Sequence, residues 1–203
     1  MYCSASPSLA NDSGLRNAVK HTFLVLSSLV YLTELKRKKL ATDIYNLSTL
    51  QKALVKTEAE LGCKIPPVLL IVIIQNGVLE SILQLLVRND IEVIVLSQRE
   101  SGPVLYRRIC VKKKLDGEVI MHAESKIETK NLPAMLLDRI IQGEKGIGSL
   151  IENLRIETFR HIKNIGFDRR QRAIYRIYEI YIRKQLAITI KEYFPIDLSL
   201  WNS

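Results

Sequence analysis

The sequence is poor in the residues that build disulfide frameworks and metal sites. Only three of its 203 residues are cysteines, and only three are histidines. The cysteines, Cys3, Cys63 and Cys110, are odd in number and widely spaced, which argues for a reducing compartment and against a disulfide framework or a zinc site. The histidines also lack the spacing of metal ligands. The sequence therefore predicts neither disulfides nor a bound metal.

An apolar run long enough to cross a membrane is also missing. The best candidate covers residues 22–32, whereas a membrane-spanning helix needs about 20 residues. Four basic residues follow at 36–39, and no small-residue cleavage site indicates a secretory signal. We interpret the segment as an amphipathic or core helix in a helical N-terminal extension over residues 1–62, and we expect no membrane span.

Acidic residues are outnumbered, with 21 Asp and Glu against 30 Lys and Arg, giving a net charge of +9. A basic chain suits nucleic acid, an anionic membrane surface or a small acidic molecule. The charge is spread through predicted strands and helices, which favours an ordinary solvated surface. Arginines and lysines between residues 155 and 184 alternate with tyrosines, and this pattern leaves phosphate binding and base stacking open. We prefer to interpret this basic cluster and its tyrosines as ordinary strand residues on a half-exposed face. Its members are Arg155, Arg160, Lys163, Arg169, Arg170, Arg172, Arg176, Arg183 and Lys184, with Tyr175, Tyr178 and Tyr181.

Hydrophobic residues make up 47% of the chain and change their spacing near residue 90. Before that point helical spacing dominates, as in residues 14–60 and 78–87, while the apolar run 68–74 fits a buried helix or a strand. Afterwards, period-two patterns joined by short turns favour an α+β fold over residues 63–203, with a single largely antiparallel sheet of about six strands and helices packed on it. The predicted strands are 91–96, 104–112, 119–125, 155–165 and two within 169–195, with a loop at 99–103 and helices at 134–142 and 149–153.

Two charged residues fall on apolar strand faces. Glu192 shares a face with Leu186, Ile188, Ile190 and Phe194, opposite to Ala187. Arg107 shares one with Leu105, Ile109 and Val111 in the same way. Burying an unpaired charge is costly, so the two residues together predict a pocket for a small acidic molecule. Two alternatives stay open, because Glu192 could reach solvent at the end of its strand and Arg107 could form a structural ion pair with Glu192 or another acid.

The glycine-rich stretch GEKGIG at residues 143–148 matches neither a phosphate-binding loop nor a dinucleotide fingerprint. The backbone amides of Ile147 and Gly148 precede a predicted helix and could face a carboxylate, although a plain loop is the simpler interpretation. Cys110 and His122 lie on neighbouring predicted strands, where Cys110 fits a packed thiol better than a nucleophile.

Several short stretches, taken in order, resemble the chorismate lyase family. The resemblance runs from Ile65 to Pro195 and is nearest to the cyanobacterial branch and to a reading frame of red algal plastid genomes. It therefore implies the plastid (chloroplast stroma) or the cyanobacterial cytoplasm as the location. The stretches are IEVIVLSQ (91–98), YRRICV (106–111), AESKI (123–127), LP (132–133), GIG (146–148), ETFR (157–160) and IKEYFP (190–195).

The resemblance implies a fold with an internal ligand cavity and the elimination of pyruvate from chorismate to give 4-hydroxybenzoate, without metal or cofactor. Arg107 would then bind the substrate carboxylate, and Glu192 would hydrogen-bond the oxygen from which the pyruvyl group departs, as an acid or proton shuttle. Ile147 would offer its backbone amide and Leu79 an apolar wall. Residues 76–80, NGVLE, depart from the family's D-G-S-x-T stretch.

We expect the partner to be this small molecule rather than nucleic acid, and the protein to be a monomer. Two alternative functions stay open: a non-catalytic domain that binds small aromatic acids, and a basic nucleic-acid-binding protein.

Overall fold

The computed structural model describes residues 48–143 and 145–202. The chain from Leu50 onwards forms one compact unit. Most of the predicted N-terminal extension, including segment 22–32, lies outside the described residues, so its boundary at residue 62 stays a prediction. In the described part of the chain, no helix is both long and apolar enough to cross a membrane.

A single six-stranded antiparallel sheet organises the described chain. Its strands are β1 (Ile91–Ser101), β2 (Val104–Lys113), β3 (Val119–Glu128), β4 (Phe159–Asp168), β5 (Ala173–Ile182) and β6 (Gln185–Pro195). Their order is β1-β2-β3-β6-β5-β4, and each neighbouring pair is antiparallel. Two three-stranded meanders thus meet along β3 and β6. The predicted α+β fold with one antiparallel sheet is confirmed.

Along the chain, helices precede the sheet and also lie between its two meanders. The described helices are α1 (residues 48–61), α2 (Pro67–Ile74), α3 (Leu79–Val87), α4 (Ala134–Gln142) and α5 (Ile147–Asn153), with short 3-10 turns at Thr129–Asn131 and Ser199–Asn202. The apolar run whose structure the sequence left open is therefore the helix α2. Proline suits its first position because no amide donor is needed there and the fixed φ is already helical.

Several predicted boundaries are wrong. The predicted loop 99–103 is mostly strand, because Arg99 to Ser101 continue the pairing of β1 with β2. The fourth strand begins at Phe159 rather than at Arg155, and Gly166 lies inside it rather than at its end. Helix α5 begins at Ile147, two residues earlier than predicted. In each case pairing or packing between elements makes the strand or helix longer or shorter than the local pattern indicated.

The register of the central strands places the predicted site residues on one face of the sheet. Arg107 of β2 pairs with Ser125 of β3, and Glu192 of β6 pairs with Arg176 of β5. The core face of β6 matches the prediction from Ile188 to Phe194. Near the hairpin tip it differs, because a register shift between Ile180 and Tyr181 leaves Leu186 half-buried and buries Ala187 completely.

Candidate functional site

A pocket lies on the core face of the sheet, between its central strands and helices α3 and α5. It contains about 520 Å³ of empty space, part of it open to solvent. The fully enclosed cavity that the resemblance implies stays a prediction. We refer to this site as the Arg107 pocket. Its lining includes Leu79, Glu80, Arg107, Ile109, Met121, Ala123, Ser125, Gly146, Ile147, Arg160, Tyr178, Ile190 and Glu192.

The four residues singled out from the sequence all line this pocket. Leu79 is the first residue of α3 and is 9% exposed, and it forms part of the apolar wall. Ile147 is the first residue of α5 and is also buried. Its amide belongs to the first helical turn, whose N–H groups have no intrahelical acceptor. Arg107 and Glu192 contribute opposite charges from β2 and β6.

Arg107 is a buried cation with unused hydrogen-bonding capacity. Its side chain is 1% exposed, and Nη2 donates to the carbonyl oxygens of Lys145 at 2.9 Å and Gly143 at 3.4 Å. Nε and Nη1 have no partner among the described residues. Burial lowers the pKa of Arg107, and the negative charge of Glu80 opposes that shift. Two donor nitrogens are therefore left for an anion entering the pocket.

The structure argues against the predicted alternative in which Arg107 pairs with Glu192. Among the ion pairs between described residues, none includes Arg107. Glu192 pairs instead with Arg176, whose Nε lies 2.5 Å from Glu192 Oε2. The other alternative, that Glu192 reaches solvent at the end of its strand, is wrong, since its side chain is only 4% exposed.

Two residues on β5 complete the surroundings of Glu192. The Tyr178 hydroxyl donates to Glu192 Oε1 at 3.0 Å, so each carboxylate oxygen accepts one hydrogen bond. Burial and the charge of Glu192 raise the pKa of Tyr178 well above its ordinary value. Arg176 Nη1 donates to the carbonyl oxygens at the end of α2, namely Val72 at 3.0 Å, Ile73 at 3.0 Å and Gln75 at 2.7 Å.

The interpretation of Arg176 and Tyr178 as half-exposed strand residues is wrong. They are 3% and 8% exposed and belong to the core face of β5. The sequence contains the signal, because Ile174, Ile180 and Ile182 share their alternation. Tyr175 and Tyr181 lie on the opposite face of β5 and are half-buried, as predicted.

Glu80 is a second acid in the pocket that sequence reasoning did not select. Its carboxylate accepts hydrogen bonds from the amide of Gly146 and from the amide and hydroxyl of Ser149. Burial raises its pKa, and these bonds together with the charge of Arg107 oppose the rise. A Cβ atom at Gly146 would overlap the Glu80 carboxylate, so only glycine permits this approach. The sequence showed Glu80 only as part of the departure from the family at residues 76–80.

The remaining candidates, apart from Arg160, lie away from the pocket lining. Cys110 and His122 are cross-strand partners, as predicted, and neither belongs to that lining. The basic cluster does not form one continuous surface. Arg176 is buried, Arg160 donates to the carbonyl oxygens of Asn76 and Gly77, and Arg172 pairs with Asp197.

Comparison with known proteins gives a family and a distant structural neighbour. A structure with partial similarity is described as a possible transcriptional regulator, YydK, from Bacillus subtilis subsp. subtilis str. 168. Its TM-score is 0.38 at 12% identity, over 52% of this chain and 58% of that one, and no functional argument rests on it. No curated protein matches the sequence.

The family match covers the sheet and most of the pocket. The profile described as "Chorismate pyruvate-lyase Rv2949c-like" matches residues 73–202. This range contains all six strands and the four predicted site residues. The match extends over more than half of the sequence, and it agrees with the resemblance drawn from short motifs. The chain belongs to the Rv2949c-like chorismate pyruvate-lyase family.

Proposed function

We propose that this protein eliminates pyruvate from chorismate to give 4-hydroxybenzoate. The observation that carries the proposal is the buried guanidinium of Arg107, which has two unused donor nitrogens and lines the same pocket as Glu192. Chorismate is a ring acid with oxygen substituents at the far side of the ring from its carboxylate. A pocket with a cation at one end and a hydrogen-bonding acid at the other is complementary to such a molecule.

Arg107 would bind the ring carboxylate and fix the orientation of the substrate. Charge-assisted hydrogen bonds from a guanidinium to a carboxylate are among the stronger ones in proteins. Their strength increases where apolar residues such as Met121 and Ile190 exclude water. The Ile147 amide would add a neutral donor. Holding the ring in one orientation brings the reacting bonds next to Glu192 without a further loss of freedom.

The reaction needs little machinery beyond this orientation. The bond between the ring and the ether oxygen breaks, and the oxygen leaves with the three-carbon group as the enol of pyruvate. The adjacent ring carbon, which bears the hydroxyl group, loses its hydrogen as a proton, and the ring becomes aromatic. Glu192 would take up this proton and pass it to the departing oxygen, so that the three-carbon group is released as the enol and the carboxylate is restored. Aromatisation supplies the driving force, which fits a site without an elaborate catalytic motif.

A second candidate function is binding of a small aromatic acid without catalysis. Two observations favour it. Both oxygens of Glu192 already accept hydrogen bonds from Arg176 and Tyr178, which leaves the carboxylate without an obvious proton to give. Residues 76–80 also depart from the family pattern. A protein of this kind would bind 4-hydroxybenzoate or a relative and leave chorismate intact.

Pyruvate release separates the two functions. The full-length protein is mixed with chorismate, and pyruvate is followed by its reduction with lactate dehydrogenase. 4-Hydroxybenzoate binding is measured by calorimetry on the same preparation. Pyruvate release supports the lyase, whereas binding without release supports the second function. Salt-dependent retention on nucleic acid without effect of either small molecule would contradict both.

We also propose that the protein acts as a monomer in the plastid stroma or the cyanobacterial cytoplasm, as its motifs imply. Light scattering of the purified chain tests the first point, and a dimeric mass would contradict it. Fractionation of the source cells tests the second, and recovery outside these compartments would contradict it.

A further inference from the structure

We infer that Arg176 and Tyr178 are positioning residues for Glu192, which hold its carboxylate in one orientation so that it works in the pocket as an acceptor. The inference deepens the proposed function and rests on it for its kinetic consequences. It also assigns a role to two buried polar side chains on β5, one of which, Arg176, does not line the pocket.

The hydrogen bonds around Glu192 define its orientation. Arg176 Nε donates to Oε2 at 2.5 Å and Tyr178 donates to Oε1 at 3.0 Å. All three side chains are at most 8% exposed. A carboxylate offers about four acceptor sites, so two remain after these contacts. Because Glu192 lines the pocket, the remaining sites are available to a ligand.

Arg176 is itself fixed by the end of a helix. Its Nη1 donates to the three carbonyl oxygens of Val72, Ile73 and Gln75. Carbonyl groups at a helix C-terminus carry partial negative charge, which favours a cation at this position. The guanidinium also lies 5.0 Å from the centre of the Tyr178 ring. Arg176 therefore cannot reorient to follow Glu192, and its Nε presents a fixed donor to the carboxylate.

Other charged groups face the pocket but do not contact Glu192. Arg107 on β2, Arg160 on β4 and Glu80 on α3 all line the pocket. Within the described residues, Arg176 is the cation that pairs with Glu192. Loss of the Arg176 guanidinium should therefore leave the Glu192 carboxylate free to adopt other orientations.

Two conservative substitutions with matched controls test this role. Arg176→Lys keeps a positive charge but loses the planar set of donors, and Tyr178→Phe removes one hydroxyl. Arg172→Lys is the control for the first, because Arg172 also pairs with a carboxylate, that of Asp197, but at the surface. Tyr181→Phe is the control for the second, since its hydroxyl bonds Glu179 on the opposite face of β5.

We expect both test variants to lower kcat with little change in KM, because Arg107 still holds the substrate carboxylate. A reacting group misplaced by about 1 Å costs about 100-fold in rate, and Arg176→Lys should approach that loss. The controls should retain wild-type kinetics. An Arg176→Lys variant that is less stable but has an unchanged kcat would overturn the inference.

A ligand-free measurement keeps this inference separate from the proposed function. If the wild-type protein releases no pyruvate, the lyase proposal fails, and the order of the Glu192 side chain is still measurable, at one fixed pH, by carbon NMR of its carboxyl group. The signal is assigned by its absence in Glu192→Gln. We expect a sharp signal in the wild type and a broadened signal in Tyr178→Phe and Arg176→Lys, because the carboxylate then exchanges between orientations. Identical line widths in all three proteins would overturn the role of both residues, and Tyr178→Phe alone decides if Arg176→Lys does not fold.

Discussion

Arg176 and Glu192 are cross-strand neighbours on β5 and β6, and their side chains form an ion pair that is almost completely buried. This pairing has a consequence two strands away. Glu192 pairs with Arg176 and not with Arg107. Two donor nitrogens of Arg107, Nε and Nη1, therefore have no partner among the described residues. The pocket therefore presents an unsatisfied cation to any ligand that enters.

The first prediction concerns the Arg176–Glu192 pair. Glu192→Leu should lower the free energy of unfolding by about 3–5 kcal/mol, because it leaves a buried guanidinium without its counter-charge. The double variant Glu192→Leu/Arg176→Met should recover part of this loss, since apolar residues often replace a buried pair at little cost. The stability that the double variant does not recover measures the loss of the Arg176 hydrogen bonds to the carbonyl groups at the end of α2. Urea unfolding of the full chain measures all three proteins, and equal midpoints for the single and double variants would contradict the prediction.

The second prediction concerns Arg107. Arg107→Met should weaken 4-hydroxybenzoate binding by about 100-fold, equivalent to one or two hydrogen bonds to a charged group. The free energy of unfolding should change by no more than about 1 kcal/mol, because no ion pair is broken. Arg108→Met is the matched control, since this neighbour is exposed on the other face of β2. Calorimetry and urea unfolding check the two effects. A variant that binds normally but has lost several kcal/mol of stability would show that Arg107 is a structural residue.

The third prediction concerns the pH dependence that Glu80 confers. Because burial raises its pKa above the ordinary value of 4.5, the folded protein binds a proton more readily than the unfolded chain. The Glu80 contribution to stability is therefore greatest below pH 4.5 and is lost as the pH rises through the folded pKa. The unfolding free energy of the wild type minus that of Glu80→Gln should fall as the pH increases across this range. A difference that stays constant or rises would contradict this origin.

Glu80 also has a consequence for ligand binding. Glu80 lines the same pocket as Arg107, so a carboxylate that binds Arg107 brings a second negative charge close to Glu80. Binding should then favour protonated Glu80 and be accompanied by proton uptake. Calorimetry of 4-hydroxybenzoate in buffers of different ionisation enthalpy measures the uptake, and Glu80→Gln should abolish it. Equal uptake in both proteins would assign the proton to another group.

The fourth prediction uses the two glycines that flank Ile147. Gly146→Ala should displace the Glu80 carboxylate, because the new Cβ would overlap it, and should remove the pH effects assigned to Glu80. Gly148→Ala is the control, since the nearest atom to its Cβ, Val78 Cγ1, is 4.0 Å away. Both variants should fold, because displacing the end of a flexible side chain costs little. Identical pH profiles for the two alanine variants would contradict the Gly146–Glu80 contact.

The sequence predicted those features that depend on local periodicity. Alternation in β2 and β6 placed Arg107 and Glu192 on inward faces, and the structure brings both to one pocket. The sheet followed from the same alternation and from short turns. Hairpin pairing then extended β1 to Ser101, beyond what its own composition indicated.

The partners of the charged residues were harder to predict, because pairing depends on register between strands distant in the sequence. Arg176 opposes Glu192 only through the β5–β6 register. Its position among other basic residues suggested a surface role, although its alternation with Ile174 and Ile180 already indicated burial. Glu80 contacts Gly146 and Ser149, which are distant in the sequence, so no local pattern indicates these contacts.

The most direct test of the pocket's chemistry is product formation from chorismate by the full-length protein and its Arg107→Met and Arg108→Met variants. We predict that the wild type and Arg108→Met release pyruvate and 4-hydroxybenzoate in equal amounts, and that Arg107→Met does not exceed the spontaneous rate. Pyruvate release at wild-type rates by Arg107→Met, or release by none of the three proteins, would contradict the assignment of this pocket as a chorismate lyase site.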